Sequence, residues 1–600
     1  MTASLFKITS LFYLFNAFLL SSKLPDGLFT TKELGLYFSV GLSCLLAVLA
    51  YFRKKQKITS KLNIGDLLVL SYLILIPLFQ FLFQWSGLGN IAVHSAYGFA
   101  YFSLRVLISD LKPVELVNAL AELLVTVFCF QLLIAIAQHG NLMPSYYPLF
   151  GATGMFFNPG PFAIFTSALI AFVFVLWFIK LLQKQYGWLV FYTLILGLGI
   201  YFVALSLSRS AWIGLFIGML FSSLIILFVH KEAFFRRYKI PVRISALIFF
   251  LALIPIGLFL YKMKADSANG RGLVWRSTGL MISDLWDRGV GIGNFAPQYI
   301  HYQAAYLSKS NDNLEKYGQL AGDSRYAFND LLHTFAESGL IGVLLFLSIV
   351  VYLFFISIRF ICLHKAKHWA ILLICGGMSS LIVILIAGLT SYPLQMVPIS
   401  ILFWFIVVII VSVQPAMNGY ALKSGGALFV AIVLTLSAGL YFYYFKVKTQ
   451  AYLEWMAEDK NVVKDVDKLL SFYPLLNNSS HYLLTIGNEY MDKKEYGKAI
   501  VYLKRAVQYS PSKEFYYALG NCYEKQGNIL EAEKNYLLVQ QAIPNLLKPY
   551  YLVAMMHYNN GDVKVFKMKA KEALDFKPKI NNGEVMQMQQ ELQQRLLEVD

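Results

Sequence analysis

Charge is scarce in this chain. Asp, Glu, Lys and Arg make up 14% of its 600 residues, against 58% hydrophobic ones. Soluble domains carry about 25% charged residues. The mean hydropathy of +0.58 points the same way, and together these values exclude an ordinary soluble protein. Cysteine is scarce too. Cys44, Cys129, Cys362, Cys375 and Cys522 form no CxxC pair, which argues against a disulfide framework or a cysteine-ligated metal. Acidic residues are in deficit, and the formal net charge is +17. The surplus does not lie in the C-terminal quarter, where residues 446–600 hold 21 Lys/Arg against 19 Asp/Glu. It belongs to the apolar part of the chain. There, basic loops set orientation in a membrane, and nucleic acid is not the expected partner.

What fills the chain is apolar sequence in runs near membrane-spanning length. Spans are expected at 5–22, 34–52, 66–85, 89–109, 114–138, 161–183, 187–207, 210–229, 244–261, 338–362, 369–390, 396–413 and 425–445. The first run has no clear small-residue cleavage site and reads as a retained span. Arg53, Lys54, Lys55, Lys57 and Lys61 follow the second span; Lys231, Arg236, Arg237, Lys239 and Arg243 follow the eighth; Arg359, Lys365 and Lys367 follow the tenth. The short loops Trp85–Gly89, His139–Gly160 and Thr390–Gln395 carry no Lys or Arg. Basic loops stay cytoplasmic. The N-terminus is therefore expected in the cytoplasm, and the long loop 262–337 and the tail outside. In the fourth and fifth spans, Arg105 is expected to pair with Glu115 or Glu122.

From Lys446 the composition becomes polar and Tyr-rich. Gly487, Gly520 and Ala554 are in register at 33–34 residues, as are Ala499, Ala532 and Val565, and Pro511, Pro544 and Pro578. Small residues recur where two helices must approach, and Pro recurs where the second helix ends. This pattern resembles tetratricopeptide repeats. The fold class is therefore all-α. A polytopic membrane helix bundle of about thirteen spans over 1–445 is followed by a tetratricopeptide-like α-solenoid over 446–600, which stacks as a scaffold or recruits a protein partner.

The polar loop 262–337 is too long to be a mere connector. It carries Arg271, Arg276, Arg288 and Arg325, with His301 and His333. Guanidinium groups at a bilayer surface suit phosphate oxygens, because the planar fork of donors matches them. Ordered motifs run through this half of the chain: GMFFNPGPFA at Gly154–Ala163, LSLSRSAWIG at Leu205–Gly214, GR at Gly270–Arg271, GVGIGNF at Gly289–Phe295 and ESGLIG at Glu337–Gly342. Over roughly residues 60–415 the chain resembles the O-antigen ligases and O-antigen polymerases.

The resemblance implies a membrane glycosyltransferase that moves a glycan from a polyprenyl diphosphate to an acceptor hydroxyl on the outer face of a bacterial inner membrane. Its repeat domain would then be periplasmic. Arg209, in SLSRSAW, reads either as an interfacial arginine at a hairpin tip or as a diphosphate ligand; the resemblance favours the second. Arg271 and Arg276 would flank the same diphosphate. Arg288, Arg325, Asn158, Asn329 and Asp330 are candidate substrate contacts, although Arg288 also reads as a partner of Asp284 or Asp287. Trp275 and Trp286 read as interfacial anchors. The family usually has a histidine directly before the asparagine matched by Asn329; this chain has Phe328. Its own His333 lies five residues on, about 140° around a helix. His333 is the candidate acceptor base, with Asp330, Asp323 and Glu337 as substitutes.

No metal and no cofactor is expected, since the outward loops hold no DxD pair. The acceptor is a lipid A core sugar in a ligase, the growing glycan in a polymerase, or a protein hydroxyl in an O-oligosaccharyltransferase. A lipid-linked glycan flippase is the alternative from another class.

Overall fold

A computed structural model describes residues 2–21, 23–24, 29–53, 61–109, 111–229, 265–363, 371–413, 420–421, 424–461, 464–510 and 512–599. Its elements are helices; among the described residues the strand pairing is one two-residue bridge, Lys61–Leu62 against Tyr420–Ala421. Nine described helices are long and apolar enough to cross a membrane, from Thr30–Arg53 to Leu428–Glu458. Three shorter apolar helices, Ala3–Phe18, Leu372–Gly388 and Val397–Val413, fall where further spans were expected. The expected span 244–261 lies outside the described residues, as do the basic positions Lys54, Lys55, Lys57, Lys231, Arg236, Arg237, Lys239, Arg243, Lys365 and Lys367. The helix Ser424–Glu458 runs without a break through the expected boundary at 445/446.

One expected ion pair is corrected. Arg105 does not meet Glu115 or Glu122. Its Nε donates to Asp66 at 3.0 Å, and Asp66, with no exposed surface, also accepts from Tyr101 at 2.8 Å. A carboxylate buried among spans needs a charged partner and further donors, and Asp66 has both. Glu115 instead accepts from the Lys112 backbone at the start of its own helix, and Glu122 pairs with Lys7 at 2.5 Å.

Helix Arg209–Val229 is set against Leu372–Gly388 by small residues. A Cβ on Gly214 would lie 2.7 Å from the Val383 carbonyl oxygen. This is the close backbone approach that small residues permit between membrane helices. It fixes the height of Arg209, the first residue of its helix, relative to the Ser391–Tyr392 turn that follows the partner helix.

The polar loop is folded. It holds helices Ala265–Asp284, Phe295–Ser308 and Asn311–Tyr317. The stretch after them begins at Asp330 and breaks at Gly339, where φ is 64° and ψ is −168°, a region open essentially to glycine. The break frees carbonyls that the GVGIGNF segment uses. Val290 N–H donates to Ala336 O at 2.8 Å and Gly291 N–H to Glu337 O at 3.0 Å, while Leu340 N–H donates back to Trp286 O at 2.8 Å. Two motifs fifty residues apart in sequence thus form one joint.

The repeat region is a stack of helix pairs: Ser480–Asp492 with Tyr496–Ala506, Lys513–Lys525 with Ile529–Ala542, and Leu547–Asn559 with Val563–Asp575, then Gly583–Val599. Ala499, Ala532 and Ala554 are fully buried between helices, as the period requires. The third pair corrects the register by one residue. Phe566, not Val565, occupies the fully buried position equivalent to Ala532, because the last period is 34 residues.

Candidate functional site

Three of the sequence candidates converge. Asn158 caps helix Pro159–Leu182, its Oδ1 accepting from Gly160 N–H at 2.9 Å. Arg209 opens helix Arg209–Val229, and Arg271 comes from the loop helix Ala265–Asp284. All three line one cavity of about 260 Å³, together with Ser206, Ser208, Phe328 and Tyr392. Burial, and then the neighbouring Arg209 guanidinium, draw the Arg271 pKa below the ordinary arginine value. Among the described residues lining this cavity there is no Asp, Glu or His. Two like charges held together with no lining acid favour an anionic occupant.

Backbone strain gathers at the same place. Leu207 and Phe328, both on the cavity wall, have φ of 50° although neither is glycine. A non-glycine residue there costs about 1–3 kcal/mol and tends to sit at functional sites. Each aims the next polar residue, Ser208 or Asn329, into the helix start that follows. Phe328 packs under Arg271, the guanidinium carbon lying 5.7 Å from its ring centre, and Trp275 Nε1 donates to the Phe328 carbonyl at 3.3 Å.

The remaining candidates lie elsewhere. Arg276 does not join Arg271. It is exposed, lies over Tyr317 and donates to the Tyr306 hydroxyl at 3.4 Å. Arg288 stacks over Trp85, at 5.6 Å, in place of the expected aspartate pair. Arg325 lines a polar cavity with Glu33, Lys448 and His481, where the loop meets the repeat region. Asn329 caps its helix, accepting from Leu331 and Leu332 N–H at 3.0 Å, and donates to Leu389 O at 3.1 Å. Asp330 is buried, accepts from Leu394 N–H at 3.1 Å, and lines an apolar cavity of about 400 Å³.

His333 lies in a separate cavity of about 260 Å³ with Glu337, His94 and Tyr72. Its Nδ1 accepts from Ala327 N–H at 3.4 Å, which assigns the ring proton to Nε2, 3.4 Å from Glu337 Oε1. That same carboxylate oxygen accepts from Gly293 N–H at 2.9 Å and Phe295 N–H at 3.3 Å. Glu337 thereby pins the GVGIGNF segment. Tyr326 connects the two cavities, its ring 6.4 Å from His333 and stacked at 4.4 Å on Tyr392.

Residues 194–347 match the O-antigen ligase family.

Residues 480–513 and 514–546 each match a tetratricopeptide repeat. No curated protein matches the chain. The O-antigen ligase match contains both arginines of the cavity, His333 and the Gly339 joint. With the apolar helices, the match points to a membrane protein with a region similar to the O-antigen ligases. The match begins after Asn158 and ends before Tyr392, so the cavity draws wall residues from both sides of it. Sequence reasoning missed Tyr392, Ser206 and Ser208 as wall residues. Their only signals were the uncharged loop Thr390–Gln395 and the serines around Arg209.

Proposed function

We propose that the arginine cavity binds the diphosphate of a polyprenyl-diphosphate-linked glycan and that the enzyme transfers the glycan to an acceptor hydroxyl. The observation that carries this reading is that Arg209 and Arg271 line one cavity and that burial and the Arg209 charge act together on Arg271. The acceptor oxygen attacks C1 of the sugar, with inversion. The C1–O bond breaks, its electron pair stays on the departing diphosphate, and the acceptor proton passes to a base or to water. Arg209 and Arg271 stabilise the charge as it develops. Diphosphate is already a good leaving group, so a general acid is not required.

Phe328 stands in the cavity where the family resemblance places a histidine, and His333 stands behind Tyr326. His333 is therefore assigned to the acceptor side. His333→Ala is expected to lower transfer while leaving the affinity for polyprenyl diphosphate unchanged. Parallel binding titrations and transfer assays on purified protein check this; a loss of affinity would place His333 with the donor.

The membrane region 1–445 and the repeats 446–600 are proposed as transferase and periplasmic domain of one inner-membrane enzyme. Exposed Lys316 in the loop and Lys525 in the repeats should then share a side, opposite Lys184 between two spans. In a background without Cys362, cysteines at 316 and 525 should react with a membrane-impermeant reagent from outside intact inner-membrane spheroplasts, and one at 184 should not. Labelling of 184 alone would reverse the orientation.

A further inference from the structure

The repeat domain is fastened to the polar loop by buried amides. Gln303, 1% exposed on helix Phe295–Ser308, donates to Ala542 O at 2.8 Å, at the end of a repeat helix, and to Gly322 O at 3.2 Å. It also accepts from the Tyr299 hydroxyl at 2.5 Å. Asn545, 5% exposed in the turn between the second and third helix pairs, directs its amide at Gly318 O (3.2 Å), Gln319 O (3.2 Å) and Ala321 O (2.8 Å). Lys579 Nζ donates to Gln319 O at 2.8 Å, Lys513 pairs with Asp323 at 3.2 Å, and the Tyr516 hydroxyl lies 3.4 Å from His301 Nε2. In segment 318–322, Gly318–Leu320 forms one 3₁₀ turn, closed by Ala321 N–H donating to Gly318 O at 3.3 Å. Buried carbonyls need donors, and the repeat domain adds the Asn545 amide for those of Gly318 and Ala321.

The chain of contact continues to the cavity. Leu273, from the helix that carries Arg271, is buried in one cluster with Tyr306, Leu307, Tyr317 and Ala321. The loop segment is thus gripped on one side by the repeats and packed on the other against the helix of Arg271.

We propose that the repeat domain is a positioning element of the diphosphate site: through Gln303 and Asn545 it holds segment 295–322, and through that segment it holds Arg271 facing Arg209. The partner of this edge of the repeats is the chain's own loop. The proposal rests on reading the arginine cavity as the diphosphate site.

The test uses full-length protein and polyprenyl diphosphate as the probe, with hydrogen exchange read in parallel. Asn545→Asp keeps the shape and removes the amide donors. It is expected to weaken probe binding at least about threefold, well under the tenfold of one charged contact, and to speed exchange in 309–322 while helices 480–506 stay as protected as in the parent. Lys513→Glu and Asp323→Lys should each do the same more mildly, and the charge-swapped double variant should recover affinity. This second set keeps the proposal testable if Asn545→Asp does not fold, since both side chains are near the surface. Parental affinity despite faster exchange in 309–322 overturns the proposal, as does a double variant no better than the singles. If Arg271→Ala itself leaves probe binding unchanged, the diphosphate reading fails instead, so the two failures are distinguishable.

Discussion

Arg271→Ala and Arg209→Ala should each reduce glycan transfer about tenfold to a hundredfold. A charge-assisted hydrogen bond to phosphate contributes about 1.5–3 kcal/mol, and about 1.4 kcal/mol corresponds to one decade in rate. The loss should appear as weaker donor binding, because each guanidinium meets the diphosphate before and during departure. Lysine at either position should restore only part of it, since an ammonium keeps the charge and loses the fork. Arg276→Ala is the contrast. Its side chain is exposed against Tyr306 and Tyr317, away from the cavity. Its effect should therefore be small. Transfer assays at saturating and limiting donor, on all three variants, separate these outcomes.

Gly339→Ala should be as damaging from a position outside the cavity. The backbone there has φ 64° and ψ −168°, and forcing a side chain into such a region costs about 1–3 kcal/mol. A Cβ would also press against the carbonyl of Asp287. Relief of either pulls apart the joint made by Val290, Gly291 and Leu340. The Glu337 carboxylate would then lose its seat beneath Gly293 and Phe295. The expected result is a lower unfolding temperature in detergent and at least a tenfold fall in transfer, which corresponds to about 1.4 kcal/mol. Gly279→Ala is the control. It lies in helix Ala265–Asp284 with nothing within 4 Å of an added Cβ, and a helical Gly→Ala change at an unstrained site stabilises by about 0.4–1 kcal/mol.

The fold was legible where a single physical signal dominated. Apolar run length marked the membrane helices, and the 33–34 residue period marked the stacked pairs, because each is a one-dimensional property of sequence. The register slip at Val565 shows the limit: a period that alternates between 33 and 34 moves the buried position by one, and only packing reveals that Phe566 fills it. Arg209 and Asn158 were legible as polar residues at turns between apolar runs, and Arg271 as part of the GR motif of the long loop; the structure brings them together. Arg276 was not separable from Arg271 by spacing, since five residues on a helix leave open which of the two faces inward. Arg105 was assigned to the wrong carboxylate because its partner, Asp66, lies on a different helix and no local spacing links them. The grip of Asn545 on 318–322 left no trace in composition: an amide in a turn reads as a turn residue until its three carbonyl partners are seen.

The measurement that bears most directly on the diphosphate reading is a structure of the protein with a polyprenyl diphosphate bound. The phosphates should lie between the Arg209 and Arg271 guanidinium groups, in the cavity walled by Asn158, Phe328 and Tyr392, with the departing oxygen toward Phe328. Phosphate density in the cavity of His94, His333 and Glu337, with the arginine cavity empty, would contradict the assignment.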